Sequence, residues 1–169
     1  MDMKNLPTHE RVTQLLTYNQ DTGDFVRKVT VRGTNGRAGT VAGCYSSIGY
    51  RLIKIDQKII FAHRLAWFYM FEKWPEFHID HINGIKDDNR ISNLREATNV
   101  ENMRNAPAPI TNKSGIKGVH WHKKTRRWRA QIRVNVKIIN VGSFLTRDEA
   151  AKAVSIAREK LHGEFAHHG

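Results

Sequence analysis

The sequence predicts an α+β chain: a mixed N-terminal domain, then a small three-stranded antiparallel sheet with one helix. Three observations carry that prediction. Residues 127–134, RWRAQIRV, alternate strictly, with Trp128, Ala130, Ile132 and Val134 on one side and Arg127, Arg129, Gln131 and Arg133 on the other. Residues 146–163 place Ala150, Ala153, Val154, Ala157 and Leu161 at helical spacing behind a Thr146/Glu149 capping pair, with Gly163 suited to the C-terminal cap. Between the halves lies NAPAPITNKSG, residues 105–115, whose Pro, Asn, Ser and Gly content marks a linker. The boundaries follow: residues 1–108, a linker at 109–115, and residues 116–169.

In chain order, THERVTQLLTY predicts a short helix with Val12, Leu15 and Leu16 on one side. GDFVRKV has strand character, and GYRLIKI with KIIFAHR predicts a hairpin turning at Asp56–Gln57. HRLAWFYMFEKWP is apolar all round, which suits a buried helix or a strand; the favoured reading is a helix stopped before Pro75 with Trp67, Phe68, Phe71 and Trp74 in the core. ATNVENMRN reads as a helix start. GVHWH, RRWRAQIRV and KIINVGSF are the three strands of the C-terminal sheet.

Charge narrows the partner. The formal net charge is +12 and the isoelectric point is about 10.1, which suits a polyanion, most often nucleic acid. Residues 1–110 hold 15 Lys/Arg against 12 Asp/Glu, whereas residues 111–169 hold 13 against 4, so the excess sits in the second half. No apolar run is long enough to span a membrane, and MDMKNLPTHERV lacks the pattern of a secretory signal. The single cysteine, Cys44, rules out an internal disulfide and a four-cysteine zinc site, fits a reducing compartment, and is expected as a small buried hydrophobe.

Residues 77–105, FHIDHINGIKDDNRISNLREATNVENMRN, concentrate His, Asp and Asn. Phosphodiester hydrolysis needs a group to take a proton from water and charge to neutralise the phosphate. An imidazole of ordinary pKa suits the first task, and a divalent cation held by one or two protein oxygens suits the second. Asp80 and His81 supply a carboxylate and an imidazole. Neighbours on a strand face opposite ways, and Asn83–Gly84 supplies the turn that ends the strand. Asn102 offers a second oxygen, and Asn93 can hold loop backbone through its amide. His78 is expected on the solvent side, with contact to phosphate or metal as the alternative, His63 is expected in a structural role at a helix start, and Arg64 is a secondary candidate for phosphate contact.

The segment resembles the HNH nucleases of the phage and intron homing type. Asp80–His81, Asn89–Arg90, Asn93–Leu94–Arg95, Thr98 and Glu101–Asn102 carry the resemblance, AHRLAWFYMFEKWP looks like its usual lead-in, and residues 45–105 are covered. The resemblance implies a ββα-metal fold, His81 as general base, Asp80 and Asn102 as ligands of one Mg²⁺ or Mn²⁺ ion, and Asn93 orienting the loop and His81. Residues 114–166 are similar to the DNA-binding domain of the plant Apetala/ethylene-response factors through KGV, W-R-A-Q-I-R, VGSF and EAAKAVSIA. That similarity implies contacts to double-stranded DNA from Lys117, His120, His122, Gln131, Arg133 and Asn140, alongside the strand arginines Arg127 and Arg129. The expectation is a site-preferring DNA endonuclease. It nicks as a monomer in the cytoplasm of a bacterial host if phage-encoded, without membrane or small-molecule cofactor. A non-catalytic DNA-binding regulator and an RNA-cleaving relative are the alternatives.

Overall fold

The computed structural model describes residues 6–32, 36–105, 111–134 and 137–162. The chain is α+β, built of small antiparallel sheets, and divides into two compact units, residues 1–97 and 98–169. The division falls ahead of the 109–115 segment expected as the linker, and residues 106–110 of the neighbouring stretch lie outside the described residues.

In the first unit, α1 (His9–Leu15) starts where Thr8 Oγ1 accepts the Arg11 N–H. It runs directly into β1 (Leu16–Tyr18), which pairs antiparallel with β2 (Phe25–Arg27). The connection turns on Asn19, whose side-chain oxygen accepts the N–H groups of Asp21 and Thr22. A second sheet has the order β3 (Cys44–Tyr45), β4 (Arg51–Ile55), β5 (Lys58–Phe61). The hairpin expected at Asp56–Gln57 is present, and both residues take positive φ, 43° and 68°, as a two-residue turn between right-twisted strands requires.

Helix α2 (Ala62–Phe71) follows β5 without a loop and ends at Glu72 in the left-handed conformation, before Pro75 as expected. Ala62, His63, Leu65, Ala66 and Phe68 are its buried residues, and they join Val12, Leu16, Phe25, Ile53 and Ile60 in one core. Trp67 and Trp74 pack against that core in part. Phe71, expected inside, is 53% exposed because it falls on the outer side of the last turn. Cys44 corrects a second expectation. It lies on a two-residue edge strand whose side chains both face solvent. Strand β6 (His78–His81) pairs antiparallel with β7 (Leu94–Ala97), and the connection carries a turn at Gly84 and a single 3₁₀ turn, Ile91–Asn93.

The second unit begins with α3 (Asn99–Asn105), whose start is locked by a reciprocal cap: Thr98 N–H and Oγ1 donate to Glu101 Oε2, and Glu101 N–H donates to Thr98 Oγ1. Strands β8 (Val119–His122), β9 (Arg127–Val134) and β10 (Lys137–Phe144) form an antiparallel sheet in the order β10-β9-β8, with an irregularity between Asn140 and Gly142. Helix α4 (Arg147–His162) packs on it, and Val119, Ala130, Ile132, Ala150 and Val154 make the core. The Thr146/Glu149 capping box forms as expected. Of the predicted stripe, Leu161 is 41% exposed, since the core is already closed one turn earlier. Gly163 lies outside the described residues.

Candidate active site and cationic face

Asp80 and His81 are adjacent on β6 and both are buried, so their side chains must find partners on opposite sides of the strand. Asp80 stands opposite Arg95 on β7, and Arg95 Nε and Nη2 both donate to Asp80 Oδ2, at 3.0 and 2.9 Å. His81 faces the other way, into a cluster of rings. His63 lies 5.0 Å away edge-on, and Tyr50 lies at 5.9 Å. Burial lowers the His81 pKa from its ordinary value, against the raising effect of its bond to Asn89. The imidazole is therefore neutral at pH 7, the form that can accept a proton.

The loop between β6 and β7 is a hydrogen-bonded frame around that imidazole. Asn89 is 1% exposed, and its Oδ1 lies 3.3 Å from His81 Nε2. Its amide nitrogen donates to the Asp87 carbonyl, which identifies the other atom as the acceptor. The proton of neutral His81 is thus on Nε2 and the basic lone pair on Nδ1. Tyr18 reaches across from β1 to donate its hydroxyl to the Asn89 carbonyl at 2.7 Å. Asn93 does what its amide suggested for the loop: Oδ1 accepts the Asn83 N–H, and Nδ2 donates to the Asp88 carbonyl. The bond to the His81 ring comes from Asn89, while the Asn93 amide bonds the loop backbone.

The acidic pair of the loop is structural. Arg51 grips Asp87 with two bonds of 2.8 Å and Tyr45 adds a third. Burial opposes the Asp87 charge, but these bonds outweigh it and hold the carboxyl below its ordinary range. Asp88 is bonded by Arg90 and Asn83, and the Arg90 bonds above all lower its pKa to about 2. Arg64 donates to the carbonyls of Phe77 and Pro75, tying α2 to the entry of β6. His78 is exposed.

Asn102 stands on α3, in the second unit, where its N–H donates to the Thr98 carbonyl. Among the described residues no group of three or more His, Cys, Asp or Glu side chains is placed to hold a metal ion. The donor types present, a carboxylate and an amide oxygen, fit Mg²⁺ or Mn²⁺, which take oxygen ligands and keep several waters. The Asp80 carboxylate is already bonded by Arg95 through Oδ2, so an ion would share that carboxylate with the guanidinium.

In the second unit, directly paired residues of an antiparallel ladder share a face. Arg127 pairs with His122, Arg129 with His120, and Gln131 with Asn140. Together with Arg133, these side chains share one face of the sheet, opposite the core side. Local desolvation, then the charges of Arg129, His120 and Lys124, lower the His122 pKa. Lys117 does not join the plate. It precedes β8, its amine donates to the Met103 carbonyl, and burial followed by the Arg158 charge lowers its pKa to about 8.

The sequence alone singled out neither Asn89 as the partner of His81 nor His63 and Tyr50 as its neighbours. Asn89 belonged to a motif, but only the fold shows which asparagine reaches the ring. The one local signal for His63 was a histidine inside an apolar run, which predicts burial.

Comparison with known proteins decides the family. A family model described as HNH endonuclease matches residues 61–104. The chain is 37% identical over 92 residues to Protein 3.8 of Escherichia phage T7, an alignment covering 53% of this chain and 74% of that protein. The chain belongs to the HNH endonuclease family. It is also 30% identical over 106 residues to an uncharacterized HNH endonuclease of Acanthamoeba polyphaga mimivirus, covering 62% of this chain and 54% of that one, so it spans about half that relative's length. The HNH match takes in α2, β6, β7 and most of α3, and it lies in the middle of the chain rather than at its N-terminus.

Proposed function

We propose that this HNH endonuclease is a metal-dependent enzyme of the homing type that nicks double-stranded DNA at preferred sites as a monomer. Its C-terminal sheet, similar to the Apetala/ethylene-response-factor domain, holds the DNA. The observation that carries the reading is the buried, neutral His81, fixed by Asn89 beside Asp80.

In the mechanism, His81 takes a proton from water on its basic nitrogen while Asn89 keeps the opposite nitrogen protonated and the ring in plane. The water oxygen forms its bond to phosphorus as the bond to the leaving 3′ oxygen breaks, which leaves a 5′ phosphate. Asp80 and Asn102 would hold the ion and Asn93 the loop, as the family resemblance implies. A bound divalent cation supplies positive charge against the charge that builds on the phosphate and the leaving oxygen. The face bearing His120, His122, Arg127, Arg129, Gln131, Arg133 and Asn140 suits a major groove, where arginine pairs with guanine and glutamine with adenine. Lys117, set back from that face, is placed on the same DNA only by the resemblance.

Supercoiled plasmid incubated with Mg²⁺ tests this. The expected product is relaxed circles, and His81→Ala lowers the nicking rate by about 10²- to 10⁴-fold with binding retained. Undiminished nicking by that variant would falsify the base assignment. Tight binding without cutting by the unaltered protein points to a regulator instead, and cleavage of RNA alone points to a ribonuclease.

A further inference from the structure

Among the described residues, His63 Nδ1 is the buried side-chain atom that has no hydrogen-bond partner. His63 is the second residue of α2 and 7% exposed. Its ring lies nearly parallel to Phe61, at 5.3 Å and 21°, with Tyr50 at 5.2 Å and His81 edge-on at 5.0 Å and 79°. A phenylalanine would fill such a ring cage without stranding a nitrogen, since an unpaired polar atom away from water costs its full desolvation. Burial, then the neighbouring His81 and Arg64, lower its pKa to about 3, so this imidazole stays neutral. An unsatisfied buried group in contact with a reacting residue calls for a state in which it is satisfied.

We propose that His63 is a positioning residue for His81: its ring, set nearly perpendicular to that of His81, fixes the plane of the His81 imidazole, and its Nδ1 gains a hydrogen bond once substrate and water fill the site. The contact is long-range in sequence and short in space. His63 lies in the first turn of α2 and His81 closes β6, so the ring pair sets where the base sits relative to the helix. The inference rests on His81 being the base.

The test compares His63→Phe, His63→Asn and His63→Gln in the full chain. The asparagine amide sits where Nδ1 does, whereas the glutamine amide reaches the Nε2 position. Plasmid nicking at saturating enzyme, plasmid binding, and thermal unfolding are measured for each, with His81→Ala alongside. The expected result for His63→Phe is a loss of about 10- to 100-fold in nicking rate, with binding changed by less than about twofold. His63→Asn should recover most of the rate and His63→Gln should not. Full activity of the phenylalanine variant, equal rates for the asparagine and glutamine variants, or a loss confined to binding would each overturn the inference. Should the phenylalanine variant fail to fold, the asparagine–glutamine comparison still decides. If His81→Ala nicks normally, the base assignment itself falls, and the inference with it; if only the His63 variants are normal, the base assignment stands and the inference alone fails.

Discussion

The β6–β7 loop and the C-terminal sheet both gather polar side chains, but they treat them in opposite ways. In the loop and the strand end that leads into it, Asp80, His81, Asn89 and Asn93 are all buried, and each is bonded to the loop or to an element packed against it. On the sheet, Arg127, Arg133, His120 and Asn140 face solvent. Bond-breaking chemistry needs groups held to fractions of an ångström, which burial and mutual hydrogen bonds provide. Holding a polyanion needs charge and reach, and exposed arginines provide both with little cost to folding. Substitutions in the loop should therefore act through geometry, and substitutions on the sheet through charge.

The most severe break of that contrast is Asn89→Leu. It removes the acceptor for His81 Nε2 and a donor to the Asp87 carbonyl inside a site with almost no exposure. The expected outcome is a nicking rate reduced about 100-fold, with DNA binding little altered, measured on supercoiled plasmid. Loss of binding instead of rate would mean that the loop contributes charge rather than geometry.

How much of this was legible in the sequence follows the same division. The sheet was readable because its signals are local. Alternation along residues 127–134 determines a strand's two faces, and Thr146 with Glu149 caps a helix three residues apart. The β4–β5 hairpin was readable for the same reason. The loop was readable only as a motif. Asp80, His81 and Asn93 stood out, but the side chains that surround the His81 ring are Asn89, His63 and Tyr50, which the fold assembles from separate elements. Lys117 shows the reverse failure. It is close in sequence to the strand, yet it falls before β8, where its amine bonds the Met103 carbonyl instead of joining the plate.

Gly23 sharpens the comparison by acting on the loop from outside it. It has φ +78°, and an added Cβ would lie 2.6 Å from the backbone of both Asn89 and Arg90. Gly23→Ala should destabilise the first unit by about 2–4 kcal/mol, combining a disfavoured conformation with a backbone clash. Urea unfolding gives the stability, and the nicking rate of the folded fraction should fall as well, because the displaced backbone carries Asn89. A variant that is destabilised yet cuts at the normal rate would show that the frame tolerates movement.

Acid probes the burial of the same site. The His63 pKa falls from an ordinary 6.5 to about 3 in the folded chain. Between those values the unfolded chain binds a proton that the folded one does not, so this contribution is intact above pH 6.5. It is lost progressively as pH falls toward 3, by up to about 1.4 kcal/mol per pH unit. Unfolding free energies measured from pH 7 to pH 4.5 should show that slope, and His63→Phe should flatten it. An unchanged slope in the variant would assign the acid sensitivity to other groups.

The mildest effect is expected on the sheet, and for that reason it is the most informative about the contrast. Arg133 is exposed at the end of β9, opposite Ile138. Arg133→Ala should leave stability and the intrinsic nicking rate of bound DNA unchanged while weakening binding. If the guanidinium meets a phosphate, the slope of log affinity against log salt should fall by about 1 and all sequences should suffer alike. If it meets a base, the slope should hold and discrimination at a single position should relax. Binding measured over a salt series on a preferred and an unrelated duplex separates the two outcomes. A change in neither quantity removes Arg133 from the interface, and a drop in the cutting rate of bound DNA would mean that the sheet shares in the geometry of the loop.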